Sequence, residues 1–364
     1  MSEEPELTSS CAWLRVSLIP GLTGVVLRRL IEALGSPAAI LDCPRRALLP
    51  LVEPALADAI ARGPSTAQLD AALSWASAPQ HTILVPDDWR YPELLRESAD
   101  PPPVLYAVGR TELLQLPAIA VVGSRNATAQ GMRNAEAFAR AFSEAGCSVV
   151  SGLALGIDAA AHRGGLSGCG ASIAVLGNGI DVLYPRRNAT LYSDLMSQGL
   201  VLSEFALGTA PLAANFPRRN RVISGISRGC LVVEAAVPSG SLITARIAAD
   251  LGRDVFAIPG SIHSPLSKGC HHLIKQGAKL VEGAQDVLEE LNIDAKPPAL
   301  VGVSTNHDAQ TARILDALGH DPCSVDVLLA RTGIPIDQLL ASLMELEIHG
   351  HVSAVAGGRY QLVN

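Results

Sequence analysis

The feature that most constrains this chain lies between residues 118 and 290, where short β-branched and aliphatic runs alternate with stretches of helical period. The runs are Ile119-Ala120-Val121-Val122, Ser148-Val149-Val150, Ser172-Ile173-Ala174-Val175-Leu176, Leu200-Val201-Leu202, Leu231-Val232-Val233, Val255-Phe256-Ala257-Ile258 and Lys279-Leu280-Val281. Strands that are apolar throughout are buried on both faces. Between the first two, residues 131–144 place Met132, Ala135, Phe138, Ala139 and Phe142 on one helical stripe. Alternation of this kind predicts an α/β fold with a doubly wound, mostly parallel sheet of the Rossmann kind. Ligand sites in such a sheet lie at the carboxyl ends of its strands.

At 364 residues the chain exceeds the usual size of one hydrophobic core, so further domains are expected on either side. Residues 1–80 read as a small helical domain. There Ile19-Pro20-Gly21-Leu22-Thr23-Gly24 leads into an amphipathic run, 25–34, that ends at Gly35 and Ser36-Pro37. Its Pro-Gly-x-x-Gly turn has two readings: a helix-hairpin-helix whose glycine amides approach DNA phosphate, or a plain join between packed helices. Residues 81–117 carry Pro86, Pro92, Pro101, Pro102 and Pro103 and read as an irregular connector packed on the core, because proline donates no backbone hydrogen bond. The sheet domain then spans 118–292 and a linker 293–307. Residues 308–364 show three short helices and a hairpin at Gly357-Gly358, the order of a winged helix.

Composition limits the setting. No run approaches eighteen apolar residues, and the start, Met1-Ser2-Glu3-Glu4-Pro5-Glu6, is acidic where a signal peptide is basic. Seven cysteines, odd in number and never in a C-x-x-C pair, argue against disulfides and zinc ribbons. A reducing cytoplasm is expected, with no membrane association. The net charge of −7 is unevenly spread: residues 118–290 carry 15 Lys and Arg against 13 Asp and Glu, the remainder 13 against 22. A polyanion site therefore belongs in the middle of the chain.

Three strand ends supply it. The first run ends in Gly123-Ser124-Arg125-Asn126-Ala127-Thr128 ahead of a helix, where backbone amides and the helix dipole favour a phosphate and Arg125 adds charge. The third leads through Gly177-Asn178-Gly179 to Tyr184-Pro185-Arg186-Arg187-Asn188, and Asn215-Phe216-Pro217-Arg218-Arg219-Asn220-Arg221 opens another helix. Arginines with one aromatic ring make a phosphate track with a stacking platform. Arginines at a helix N-terminus oppose its dipole, so an anion is expected there; the alternatives are a solvated helix end or arginines bonded to nearby carbonyls. G-x-G-x-x-G and G-x-x-x-x-G-K-[ST] are both missing, so neither a nicotinamide cofactor nor P-loop ATP hydrolysis is indicated. Asp158 and His162, at i and i+4 on a helix, have the spacing of an acid–base dyad, but an Asp near a helix start reads first as a cap. Glu234 is expected to accept amides of the turn Ser239-Gly240-Ser241. Cys270-His271-His272 and His263 lack a convergent metal-ligand spacing, so no metal is expected.

Together these segments resemble the DNA-processing protein A (DprA/Smf) family along essentially the whole chain. The resemblance rests on Gly123-Ser124-Arg125, residues 151–158 with His162, Tyr184-Pro185, Ser203-Glu204, residues 216–221, Val233-Glu234-Ala235 with Ser239-Gly240-Ser241, and Ile258-Pro259-Gly260. It implies a SAM-like or helix-hairpin-helix-like N-terminal domain, an extended Rossmann-like domain that binds single-stranded DNA and forms a homodimer, and a winged helix. It also implies a role without turnover: protecting incoming DNA and helping to load RecA recombinase in natural transformation. Gly123, Ser124, Arg125, Arg186 and residues 216–221 would hold the phosphates. Some relatives carry Lys where this chain has Arg186. From residue 309 onward three basic residues face six acidic ones, which suits protein contacts better than DNA. A different class, nucleotide-processing enzymes of the Lonely-guy phosphoribohydrolase type, lacks support because their Gly-Gly-x-Gly-Thr loop is replaced by Ala235-Ala236-Val237-Pro238-Ser239-Gly240-Ser241. A pure scaffold leaves the Arg125 and Arg186 loops unexplained.

Overall fold

The computed structural model describes residues 3–293, 309–319, 322–348, 352–355 and 358–362. They fall into two compact units, one up to Lys296 and one from Pro297. In the first, nine strands form a single sheet: β1 (His81–Leu84), β2 (Leu105–Gly109), β3 (Ala118–Val122), β4 (Ser148–Ser151), β5 (Ser172–Leu176), β6 (Leu200–Ser203), β7 (Gly229–Val232), β8 (Asp254–Ala257) and β9 (Lys279–Leu280). Their order is β1-β2-β6-β5-β4-β3-β7-β8-β9. Strands β3 to β9 run parallel, while β2 pairs antiparallel with both β6 and β1. From β3 the chain winds one way through β4, β5 and β6, then returns to the other side of β3 for β7, β8 and β9. The crevice of such a sheet opens where the winding reverses, between β3 and β7.

Strand β3 shows why the apolar runs were legible. Ala118, Ala120 and Val122 enter the core on one face of the sheet, and Ile119 and Val121 enter the core on the other. Each such side chain stabilises the fold by roughly 1.5–3 kcal/mol when fully buried and large. The following helix, Ala129–Glu144, starts where Thr128 Oγ1 accepts the Gly131 amide (2.9 Å) and lays Ala135, Phe138, Ala139 and Phe142 against Ile119, Val121 and Val149. Met132, expected in that stripe, is only half-buried.

Residues 81–117 depart from the irregular connector that their prolines suggested. They supply β1 and β2, which extend the sheet by two strands. All five prolines fall in the segment between these strands, so none interrupts a ladder, and Tyr91 closes that segment by donating to Pro102 O (2.8 Å). The N-terminal helices, including Gly24–Leu34, Pro37–Asp42 and Pro54–Arg62, pack around Leu14, Leu27, Leu30, Ile40, Leu48 and Ile60. The Pro-Gly-x-x-Gly turn resolves as a packing join: a Cβ on Gly24 would overlap Asp100 Oδ1, and Arg28 donates to Ala99 O (2.8 Å). Among the described residues no single helix is long and apolar enough to cross a membrane.

The second unit has three helices, Ala309–Leu318, Val325–Thr332 and Ile336–Ile348, around Ile314, Leu318, Leu328, Leu339, Leu343 and Leu346. A small antiparallel sheet, β10 (Cys323–Ser324), β11 (Val352–Val355) and β12 (Arg359–Leu362), is ordered β10-β12-β11. Gly358 takes φ +66° at the hairpin; Gly357 and residues 294–307 lie outside the described residues.

Candidate nucleic-acid interface

Register brings the chemistry together. Ala120 of β3 lies opposite Val150 of β4 and Cys230 of β7, so the loops at Gly123, Gly152 and Glu234 leave the sheet side by side. There a cleft of about 680 Å³ opens, lined among others by Gly123, Ser124, Arg125, Asp158, Tyr184, Phe216, Arg219, Asn220, Ser239, Gly240 and Ser241. A smaller cavity of about 140 Å³ adjoins it beneath Gly152, Gly177 and Tyr184.

The rim carries accessible charge. Arg125 is exposed, makes no ion pair among the described residues, and sets its guanidinium 5.6 Å from the centre of the Phe216 ring. Phe216, half-buried, meets Tyr184 at 5.8 Å between ring centres. Arg186 and Arg187 follow Tyr184-Pro185, are exposed, and are likewise free of ion pairs among the described residues. Asn188, expected on the same track, is instead buried and donates to Leu153 O (2.9 Å) and Ala154 O (3.2 Å). It braces the loop after β4 from below.

Arginines of the helix Asn215–Ile226 divide by depth. Arg219 is 4% exposed, donates through Nη1 to Val175 O (2.8 Å), and has an Nε with no hydrogen-bond partner among the described residues. Burial lowers its pKa to about 10, opposed by Asp158 and aided by Arg125, so it stays charged at neutral pH. Its guanidinium fills the space over Gly152, where a Cβ would overlap Nη1. Arg221 turns away from the cleft: it is bonded to the Glu204 carboxylate and to Asp100 O. Arg218 reaches the same Glu204 (3.3 Å) and lies 5.4 Å from the Phe205 ring centre. The anion expected at this helix start is therefore supplied in part by the protein. Glu204, with its side chain 1% exposed, would otherwise be a buried lone charge; burial raises its pKa, and Arg221 and Arg218 oppose that. Arg218 and Arg221 were expected to touch phosphate; Arg221 is committed to holding the helix, because its partners lie 17 and 121 residues away and carry no local sequence signal.

The polar residues of the floor are structural in their bonding. Asp158 accepts from the amides of Gly152 (3.2 Å) and Ala154 (3.3 Å), and burial raises its pKa against the opposing charge of Arg219. The Leu153 amide donates to His162 Nε2 (3.2 Å), which puts the ring proton on Nδ1, facing Ser172 Oγ at 2.7 Å. Burial drives the His162 pKa down to about 3. Asp158 and His162 thus serve different partners. Glu234 does not accept from residues 239–241 as expected; it takes the amide (2.9 Å) and hydroxyl (2.6 Å) of Thr128, fixing the helix that follows the Gly123 loop. Ser241 Oγ donates to Gly123 O (2.8 Å), and the buried Ser239 Oγ has no hydrogen-bond partner among the described residues. Cys270 Sγ points to Val232 O and Val233 O (3.6 Å each), away from a metal geometry, and no group of three His, Cys, Asp or Glu among the described residues is placed to hold a metal. Ile243 and Thr244 also line the cleft; apolar and hydroxyl residues one turn into a helix gave no signal in the sequence.

Fold and cleft together define a class: a Rossmann-like sheet with an arginine-rimmed crevice at its point of reversal, in a chain that also carries a winged-helix unit. The chain belongs to the DNA recombination-mediator protein A (DprA/Smf) family. The model of that family matches residues 82–292, and that of the DprA winged helix domain residues 295–358. Protein Smf of Escherichia coli (strain K12) is 42% identical over 302 residues, 81% of each chain. The X-ray structure of DNA processing protein A (DprA) from Streptococcus pneumoniae is 38% identical, with TM-score 0.67 over 79% of this chain and 96% of that one. DNA processing protein A from Helicobacter pylori, solved for its single-stranded DNA binding mode, is 29% identical, with TM-score 0.54 over 59% of this chain and 97% of that one.

Proposed function

We propose that the crevice grips the sugar–phosphate backbone of single-stranded DNA without reading its sequence. The observation that carries this is the pairing of exposed Arg125, free of ion pairs among the described residues, with the Phe216 ring, above two buried polar atoms, Arg219 Nε and Ser239 Oγ, that have no hydrogen-bond partner among those residues. Phosphate oxygens satisfy such donors, and an aromatic face stacks any base. The Gly123 and Ser124 amides and Arg186 and Arg187 extend the same track. No bond is made or broken in this reading, because Asp158 and His162 spend their hydrogen-bonding capacity on backbone and on Ser172. Residues 118–292 form the DNA-binding domain, extended at the sheet edge by the strands of 81–117. Residues 1–80 form a helical domain, and 308–364 a winged helix after the linker 293–307. By kinship with the family, the protein works as a homodimer in the cytoplasm, protects incoming strands in transformation and hands them to RecA recombinase.

Labelled oligo-dT titrated across a salt series, with nucleotide release assayed alongside, tests this. We expect tight binding that weakens steeply with salt, weaker binding of duplex, and no released nucleotide. Equal affinity for duplex and single strand, or measurable nucleotide release, would refute it.

A further inference from the structure

Helix Ala129–Glu144 starts where a doubly wound sheet ordinarily seats a phosphate, directly after β3, the strand from which the winding departs to both sides. Here the protein fills that place itself. Glu234, just past the end of neighbouring β7, accepts the amide (2.9 Å) and the hydroxyl (2.6 Å) of Thr128, 106 residues away in the chain. Gly131, in the first turn, leaves room for this: a Cβ there would lie 2.6 Å from each carboxylate oxygen. The helix has no acidic residue in its own first turn, and Glu234 forms no ion pair among the described residues. Its charge therefore faces two donors and the positive end of a helix dipole rather than a cation. Thr128 is exposed, so solvent reaches this spot.

We propose, on the strength of the strand-binding reading above, that Glu234 is a specificity-determining residue: its carboxylate stands where the phosphate of a free nucleotide would sit, and so keeps mononucleotides out of the crevice. A terminal phosphate carries close to two negative charges on one group and binds where backbone donors converge on a point. A carboxylate already at that point takes the donors and repels the newcomer. A strand is met differently, because it presents one charge per phosphate along a line, and side chains reaching outward can neutralise it. Arg125 does so from the same loop, with its guanidinium turned to the Phe216 ring rather than to Glu234. A glutamate within the first turn would cap Thr128 just as well; here Gly131 clears the space and the carboxylate comes from the next strand. Removing a cap that did nothing more would lower stability and leave nucleotide affinity where it was.

The test titrates the full chain with dTMP and, separately, with thymidine, so that the ratio of the two affinities reads the phosphate alone. Glu234→Ala is expected to raise that ratio at least about tenfold over the parent, because the Thr128 donors and the helix end become available to the ligand. Glu234→Gln keeps an acceptor for the Thr128 amide and removes only the charge, so it should move the ratio in the same direction by less. It carries the comparison if the Ala variant unfolds, which the unfolding temperature of each variant shows. A folded variant whose dTMP-to-thymidine ratio equals that of the parent overturns the proposal. Oligo-dT titrated against the parent keeps the two readings apart: failure to bind it would sink strand binding, whereas strand binding with an unmoved dTMP ratio would sink only the role of Glu234.

Discussion

At the level of single residues the crevice separates charge from stacking. Arg125 and Arg186 reach solvent with no ion pair among the described residues, so replacing either by Ala should lower oligo-dT affinity and reduce the slope of log affinity against log salt by about 0.7 for each phosphate no longer neutralised. Phe216→Ala should cost roughly 1–3 kcal/mol with the slope nearly intact, because a stacked ring displaces no counterions. An Arg125→Ala, Arg186→Ala double variant that folds and binds as tightly as the parent would place the DNA path elsewhere. The sequence showed these residues because each follows a strand. It did not separate them from Arg221 and Asn188, whose bonding partners are remote in the chain.

Among the elements, the buried parallel strands were legible because nothing polar interrupts them, and β1 and β2 were hidden by prolines that lie between rather than within them. The helix Ile157–Leu166 illustrates how the elements are locked. His162 on this helix is tied to the Leu153 amide and to Ser172 at the start of β5, whose hydroxyl in turn donates to Val149 O (2.9 Å) in β4. Its folded pKa of about 3 lies below the ordinary value of about 6.5, so in this window the unfolded chain binds the extra proton. The stability contributed by the neutral ring is complete above about pH 6.5 and is lost as pH falls towards 3. The raised pKa of Asp158 acts in the opposite sense, favouring the folded state as pH falls. His162→Gln should therefore be less stable at neutral pH, yet lose less stability than the parent between pH 6.5 and 4. Thermal unfolding followed over that range checks this; parallel pH profiles would show that the ring is not held neutral.

Over the whole molecule, the exposed arginines of the rim, Arg125, Arg186 and Arg187, all sit on the first unit, so the proposed strand binding belongs to that body. A chain truncated after Lys296 should keep nearly all its oligo-dT affinity. Loss of DNA affinity on truncation, measured by the same titration, would mean that the winged helix takes part in holding the strand.

The space above Gly152 has a consequence for inheritance. Gly152 does not have positive φ, so its backbone conformation does not itself call for glycine; the atoms nearest to a Cβ there all belong to the Arg219 guanidinium. Drift at 152 and at 219 is therefore coupled. Any exchange of this glycine must move the Arg219 guanidinium off Val175 O, so what is tolerated at 152 depends on a side chain 67 positions downstream.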